Sequence, residues 1–279
     1  MPDLVRRYDN KNQPIVMPKK GLLASTYFNL VHLKKGQEYQ AQVAGIETLY
    51  AVLSGNVDLD VNGTPFRNVG QRKDIWSGNA DSVYAPAGAA VRVRANADGT
   101  EVAVAGGLCD QVHAPFRVLP SEVEMVDVGS VETRSHRRIF HLLGQNGLGR
   151  AGNLLVSELY CDHGCWSGYP PHKHDEDHGK TETAHEELYH YRFRPETGFG
   201  AQLCFQPDGS SQCFMTRSGD TVLLDRGFHP TVTSPGHEEY IFTILVGKSQ
   251  RGLVQHFKED YHYLMAGIPG IQEMVNKFK

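Results

Sequence analysis

A chain of 279 residues, 40% hydrophobic and 22% charged, holds enough apolar mass for one large domain or two of ordinary size. Its formal charge of −4 offers no basic surface for nucleic acid or anionic membrane, and no run nears the ~18 apolar residues of a membrane span. The polar start, Met1-Pro2-Asp3-Leu4-Val5-Arg6-Arg7, lacks the apolar core of a signal peptide, so the expected location is cytoplasmic.

The 29 glycines and 14 prolines fall between short apolar runs, a pattern that predicts many strands with frequent turns. Glu47-Thr48-Leu49-Tyr50 opens a first apolar strand that ends at Ser54-Gly55, and Trp76-Ser77-Gly78 leads into Val83 and the turn through Gly88 to Val91. The strand Glu101–Gly106 closes this unit. The stretch from Ala114 to Gly149 reads as a linker with lead-in strands. The order then repeats: Glu186-Glu187-Leu188-Tyr189 opens a strand, Ser218-Gly219-Asp220 follows, Val222–His229 comes next, and Glu239–Gly247 closes. The duplication predicts two tandem β-barrels, one over residues 1–113 and the other over 114–279, with a short helix near Ile271–Val275.

The five cysteines are odd in number and lack the dense spacing of a disulfide framework, which makes them free thiols. Cys161 and Cys165 are spaced C-x3-C, but a structural zinc site would need two further ligands beside them.

Histidine separates the halves, since ten of the fourteen lie at or after His163. In His172-Lys173-His174 on a strand, both imidazoles enter one face while Lys173 points away. Glu187 heads a following strand, and His229 follows the turn at Gly227. Three imidazoles and a carboxylate suit a divalent metal ion (zinc, manganese, iron or nickel) with positions open for substrate oxygens. Laid on the first unit, Glu187 falls on Thr48 and His229 on Ala90, and no histidine precedes Glu47 to answer His172 and His174. The expected site is therefore single and lies in the second barrel, the first being structural.

The stretch Gly168–His174, the later glutamate, and Gly219 followed by Gly227-Phe228-His229 resemble the two signature motifs of the cupins. More narrowly, Trp166–Asp175, Glu186–Tyr189 and Asp225–Pro230 resemble the 5-deoxy-glucuronate isomerase family of myo-inositol catabolism. The resemblance spans nearly the whole chain and implies an all-β bicupin, two tandem double-stranded β-helix (jelly-roll) barrels. A generic cupin places its glutamate three or four residues after the second histidine, whereas here twelve residues intervene between His174 and Glu187; a long insertion of this kind belongs to the isomerase family. Asp225 stands where that family usually has proline, and Tyr189-His190-Tyr191 replaces a paired tyrosine followed by histidine. The generic motif places its ligand just before the apolar residue, which selects Glu187 over Glu186. Alternation then sends Tyr189 and Tyr191 inward, with Glu186, Leu188, His190 and Arg192 outward. The polar insertion covers the barrel mouth, where His178 and His185 read as solvated or lid residues rather than ligands.

The implied reaction is an aldose–ketose isomerisation of an open-chain sugar acid, 5-deoxy-glucuronate to 5-dehydro-2-deoxy-gluconate. Such chemistry needs a Lewis acid at adjacent oxygens and a group that carries the proton. Tyr189 and Tyr240 are candidates for that group or for orienting the substrate, against a competing reading as packed aromatics. Gln202 and Tyr191 are candidates for substrate binding, Gln202 being equally readable as a polar barrel residue satisfied by its neighbours. Arg192 and Arg226 lie nearby in sequence, yet neither is assigned to the substrate carboxylate. A cupin dioxygenase and a non-catalytic sugar-acid binder are the alternative readings, distinguished by oxygen dependence and by binding without turnover. Outward apolar barrel faces favour a homo-oligomer.

Overall fold

Strict alternation shapes the strands. In Val57–Val61 the apolar residues Val57, Leu59 and Val61 are buried, and in Val91–Ala95 the intervening Arg92 and Arg94 are exposed. The two strands pair antiparallel so that Asp58 faces Arg94 and Asp60 faces Arg92, opposite charges across one face. A computed structural model describes residues 2–277 of the protein. Among the described residues the chain is predominantly β-structure, with two short α-helices toward the C-terminus, His262–Met265 and Ile271–Lys277.

The chain divides into two compact units. One comprises Asp9–Glu124 and Leu142–Val156. Its five-stranded sheet runs in the order Phe116–Val118, Asp81–Ala85, Ile46–Ser54, Thr100–Leu108, Thr26–Leu33, and its four-stranded sheet in the order Glu38–Ala41, Val91–Ala95, Val57–Val61, Thr64–Val69. Both sheets contribute to a single apolar core rich in valine, with Tyr27 and Tyr50 among its largest members. Glu47 is fully buried, yet its carboxylate accepts from the Tyr84 hydroxyl and from the backbone N–H groups of Gly152, Asn153 and Leu154 at 2.5–2.9 Å. That satisfies a charge that would otherwise be costly to bury.

The other unit comprises Met1–Tyr8, Met125–His141 and Ser157–Lys279. Its large sheet runs Asp3–Val5, Thr221–Leu224, His185–Arg194, Glu238–Gly247, Leu154–Cys161, Arg137–Leu143, Glu124–Val128. A four-stranded sheet (Trp166–Ser167, Thr231–Thr233, Phe199–Phe205, Ser211–Arg217) and the pair His172–Lys173 with His256–Phe257 complete it. The units thus do not meet at a single cut after residue 113. The first residues join the second unit because Asp3–Val5 pairs with Thr221–Leu224 and Arg6 reaches Asp220 at 2.6 Å, contacts between distant parts of the chain that no local pattern announces.

Strand register repeats between the units. Thr48 faces Ala85 and Gly106 in its ladders, and Glu187 faces Leu224 and Leu245 at the same places. After the following turn the inward residue of the first unit is Ala89, not Ala90. Ala90 exchanges bonds with Asn62, through its N–H to Oδ1 at 2.9 Å and its carbonyl to the Asn62 N–H at 3.0 Å, and its side chain is exposed. Either alanine would leave the first unit without a ligand there.

Candidate metal centre

The short strand His172–Lys173 sends its neighbours to opposite sides. His172 and His174 are both buried among imidazoles, with ring centroids 6.1 Å apart. Lys173 is buried too, but its ammonium meets Asp175 and Glu176 at 2.7 Å and Glu182 at 2.9 Å. Burial alone would lower the pKa of this lysine; the carboxylates reverse that and raise it. Asp175 also accepts the Gly227 N–H at 2.8 Å, tying the insertion to the turn that carries His229. Gly227 has φ of +89°, and a Cβ there would run into the Gln206 side chain, so glycine is required.

His172, His174 and His229 each present a nitrogen within 4.8 Å of the others, all three residues being buried. Glu187 Oε2 lies 3.0 Å from both His174 Nε2 and His229 Nε2. Tautomers follow from the opposite ring nitrogens. His229 Nδ1 is 2.7 Å from the Gly227 carbonyl and His172 Nδ1 is 3.3 Å from that of Pro170, so each donates there and leaves Nε2 as its lone-pair atom. His229 Nε2 has no hydrogen bond, and in this tautomer it aims a lone pair at a carboxylate oxygen. A cation between them removes that conflict. Burial and the neighbouring rings of His229 and His174 keep His172 neutral, as a ligand must be. Burial would raise the Glu187 pKa, but the adjacent imidazoles of His174 and His229 outweigh it and hold the carboxyl far below the usual carboxylate range. For His229, burial favours the neutral ring and is outweighed by the Glu187 carboxylate, which raises its pKa; a proton on Nε2 or a metal ion in its place would each relieve the contact. The donor set therefore fits a divalent ion.

The centre opens on a cavity lined by His172, Glu187, Tyr189, Arg137, Thr243 and Gln255. Gln255 Nε2 lies 2.9 Å from His172 Nε2. Burial, then the charge of Glu187, raises the Tyr189 pKa well above its ordinary value and keeps the phenol protonated.

Among the candidates taken from sequence, Tyr189 joins His172 and Glu187 in lining this cavity, whereas Tyr240, Tyr191 and Gln202 do not. Tyr240 pairs with Arg192 while Glu187 pairs with Leu245, which places Tyr240 on the opposite face of the sheet. Its hydroxyl donates to Glu158 Oε1 at 2.8 Å and its ring packs on Tyr160. Tyr191 is inward as expected, but its hydroxyl donates to Gln202 Oε1 at 2.5 Å. The Gln202 amide in turn donates to the carbonyls of His229 at 2.8 Å and Pro230 at 3.1 Å. Both side chains hold the His229 segment in this structure. Glu186, Leu188 and His190 alternate outward yet are buried all the same. His185 is also buried rather than solvated, facing the carbonyls of Thr183 and Arg251, whereas His178 is exposed. All five cysteines are free, and Cys161 Sγ contacts the Cys165 carbonyl rather than a metal set. Arg137 and Gln255 were missed. Both come from strands or segments remote from the histidine motifs, where no local spacing points to the site.

The KduI/IolB family model matches residues 4–264. A curated 5-deoxy-glucuronate isomerase from Geobacillus thermodenitrificans is 32% identical over 224 residues, 79% of this chain and 79% of the relative. An IolB-like protein from Salmonella typhimurium LT2, whose crystal structure is known, superposes with a TM-score of 0.86 at 26% identity, covering 94% of this chain and 98% of that one. A variant of the oxalate decarboxylase of Bacillus subtilis superposes with a TM-score of 0.61 at 13% identity, over 87% of this chain and 75% of the other, a likeness of fold alone.

Proposed function

Because the chain belongs to the KduI/IolB family, we propose that it converts 5-deoxy-glucuronate to 5-dehydro-2-deoxy-gluconate at the centre formed by His172, His174, Glu187 and His229. The observation that carries this reading is the convergence of the three imidazoles and Glu187 Oε2, with His172 and Glu187 lining a cavity that also holds Tyr189. Repeated register and the likeness of fold to oxalate decarboxylase support reading the two units as tandem cupin barrels, the first without ligands.

The reaction is internally balanced. The hydroxyl-bearing carbon beside the aldehyde gives up its C–H hydrogen and its O–H proton and becomes the ketone, while the aldehyde carbon gains the hydrogen and its oxygen the proton, giving the alcohol. No outside oxidant is needed. His172, His174, Glu187 and His229 would hold a divalent ion (zinc, manganese, iron or nickel), whose bound charge polarises a carbonyl and acidifies the neighbouring C–H. Tyr189 keeps its proton beside Glu187 and is positioned to donate to a developing alkoxide or to relay the migrating proton. Burial of the whole set excludes water and strengthens each of these interactions.

Metal-reconstituted protein incubated with 5-deoxy-glucuronate should yield the ketose acid by NMR, in anaerobic buffer as well as in air. A folded protein that gives no conversion with any of the four metals would overturn the assignment. His172→Ala should lose bound metal; full retention removes the ligand set.

A further inference from the structure

Arg137 begins the strand Arg137–Leu143, is 1% exposed, and lines the same cavity as His172, Glu187 and Tyr189. A guanidinium carries five N–H donors and a charge that cannot be shed near neutrality. Here Nη1 donates to the Ser135 carbonyl at 2.9 Å, Nη2 to the Tyr169 carbonyl at 2.9 Å, and Nη2 lies 3.8 Å from Met274 Sδ. These partners are neutral, and among the described residues no carboxylate pairs with Arg137. Elsewhere arginines find counter-ions: Arg117 meets Asp81 and Arg6 meets Asp220, each at 2.6 Å. A buried cation without an anion is expensive, and the burial lowers the affinity of Arg137 for its own proton to a pKa of about 10. Two carbonyl contacts could be made by a neutral side chain. They do not explain why a guanidinium stands in the wall of a cavity.

We propose that Arg137 binds the carboxylate of the sugar acid, and so selects acids over neutral sugars at this site. The proposal rests on the isomerase reading for the identity of the acid. The substrate carries its aldehyde and its carboxylate at opposite ends of an open chain, so a cation separate from the metal ligands is what such a molecule requires. The other nearby arginines do not serve. Arg226 is largely exposed beside Asp225, and Arg192 shares the sheet face of Tyr240, away from the cavity. Bound carboxylate would displace the weak Met274 contact and complete the guanidinium's hydrogen bonding.

The test uses an inert ligand, the acid obtained by reducing the aldehyde of 5-deoxy-glucuronate to an alcohol, together with the carboxamide of that acid. Calorimetry on the zinc-loaded protein should show the acid binding about 10- to 100-fold more tightly than the amide, the span expected of a charge-assisted pair. Arg137→Gln should erase that ratio by weakening the acid alone. A purely structural role would weaken both ligands together. Retention of the preference in the folded variant, or its absence from the natural protein, overturns the proposal. If Arg137→Gln does not fold, a crystal structure of the natural protein with the acid decides: a carboxylate beyond hydrogen-bond reach of Arg137 overturns the assignment equally. Turnover of 5-deoxy-glucuronate by the natural protein is measured separately, so failure of the isomerase reading appears as absent conversion and failure of the Arg137 assignment as an unchanged binding ratio.

Discussion

Glu187 Oε2 lies 3.0 Å from His229 Nε2, while the other nitrogen of that ring faces the Gly227 carbonyl at 2.7 Å. The Gly227 turn thereby selects the tautomer, and the tautomer leaves two electron-rich atoms facing one another across the space a cation would fill. Metal affinity in this reading depends on more than the four ligand candidates. It depends on whatever keeps the His229 segment where it is.

Gln202 supports that segment through its bonds to the His229 and Pro230 carbonyls and from Tyr191. Gln202→Leu should lower metal affinity by about 10- to 100-fold, the range for groups that orient ligands. Competition with a chelator of known affinity measures this, and an unchanged affinity would remove Gln202 from the support of the site.

Tyr189→Phe deletes only the hydroxyl beside Glu187. We expect kcat to fall by about 100-fold or more, with metal content unchanged, if that proton is used in the chemistry. Activity within a few-fold of the natural protein would return Tyr189 to a packing role.

Tyr240→Phe should give the reverse pattern. The hydroxyl lies on the other face of the sheet, where its loss deprives buried Glu158 of a donor. Stability should fall by about 1–3 kcal/mol in urea unfolding while kcat changes little. A large loss of kcat without loss of stability would contradict the placement.

Glu239 makes a prediction in pH. Burial pushes its carboxyl up to about 8, against a lowering bond from the Thr233 hydroxyl at 2.9 Å. The folded protein therefore keeps this proton through a window, from about 4.5 to about 8, in which the unfolded chain has released it. Stability from this group is full below the lower value and declines as pH rises to the upper one, by at most about 1.4 kcal/mol per pH unit. Glu239→Gln, neutral throughout, should gain on the natural protein as pH rises across that window. Urea midpoints for both proteins at pH 5.5 and 7.5 check the sign; a constant difference would show that Glu239 is ionised when folded.

The sequence alone determined what depends on local spacing. A strand alternates with period two, so His172 and His174 had to share a face with Lys173 opposite, and a glycine before Phe228-His229 marked the turn that presents the last imidazole. Repetition of the strand pattern located these residues in one half of the chain and their counterparts, Thr48 and an alanine, in the other. Tertiary structure decided what depends on register between distant strands. Alternation within Glu238–Gly247 says that Tyr240 and Ile241 face opposite ways, but only pairing with His185–Arg194 says which faces Glu187. The partners of Gln202, the burial of His185, the pairing of Asp3–Val5 with Thr221–Leu224 and the placement of Arg137 in the cavity wall all arise from contacts between segments far apart in the chain. Such contacts are selected by the packing of the whole unit, and the metal-ligand spacing is not.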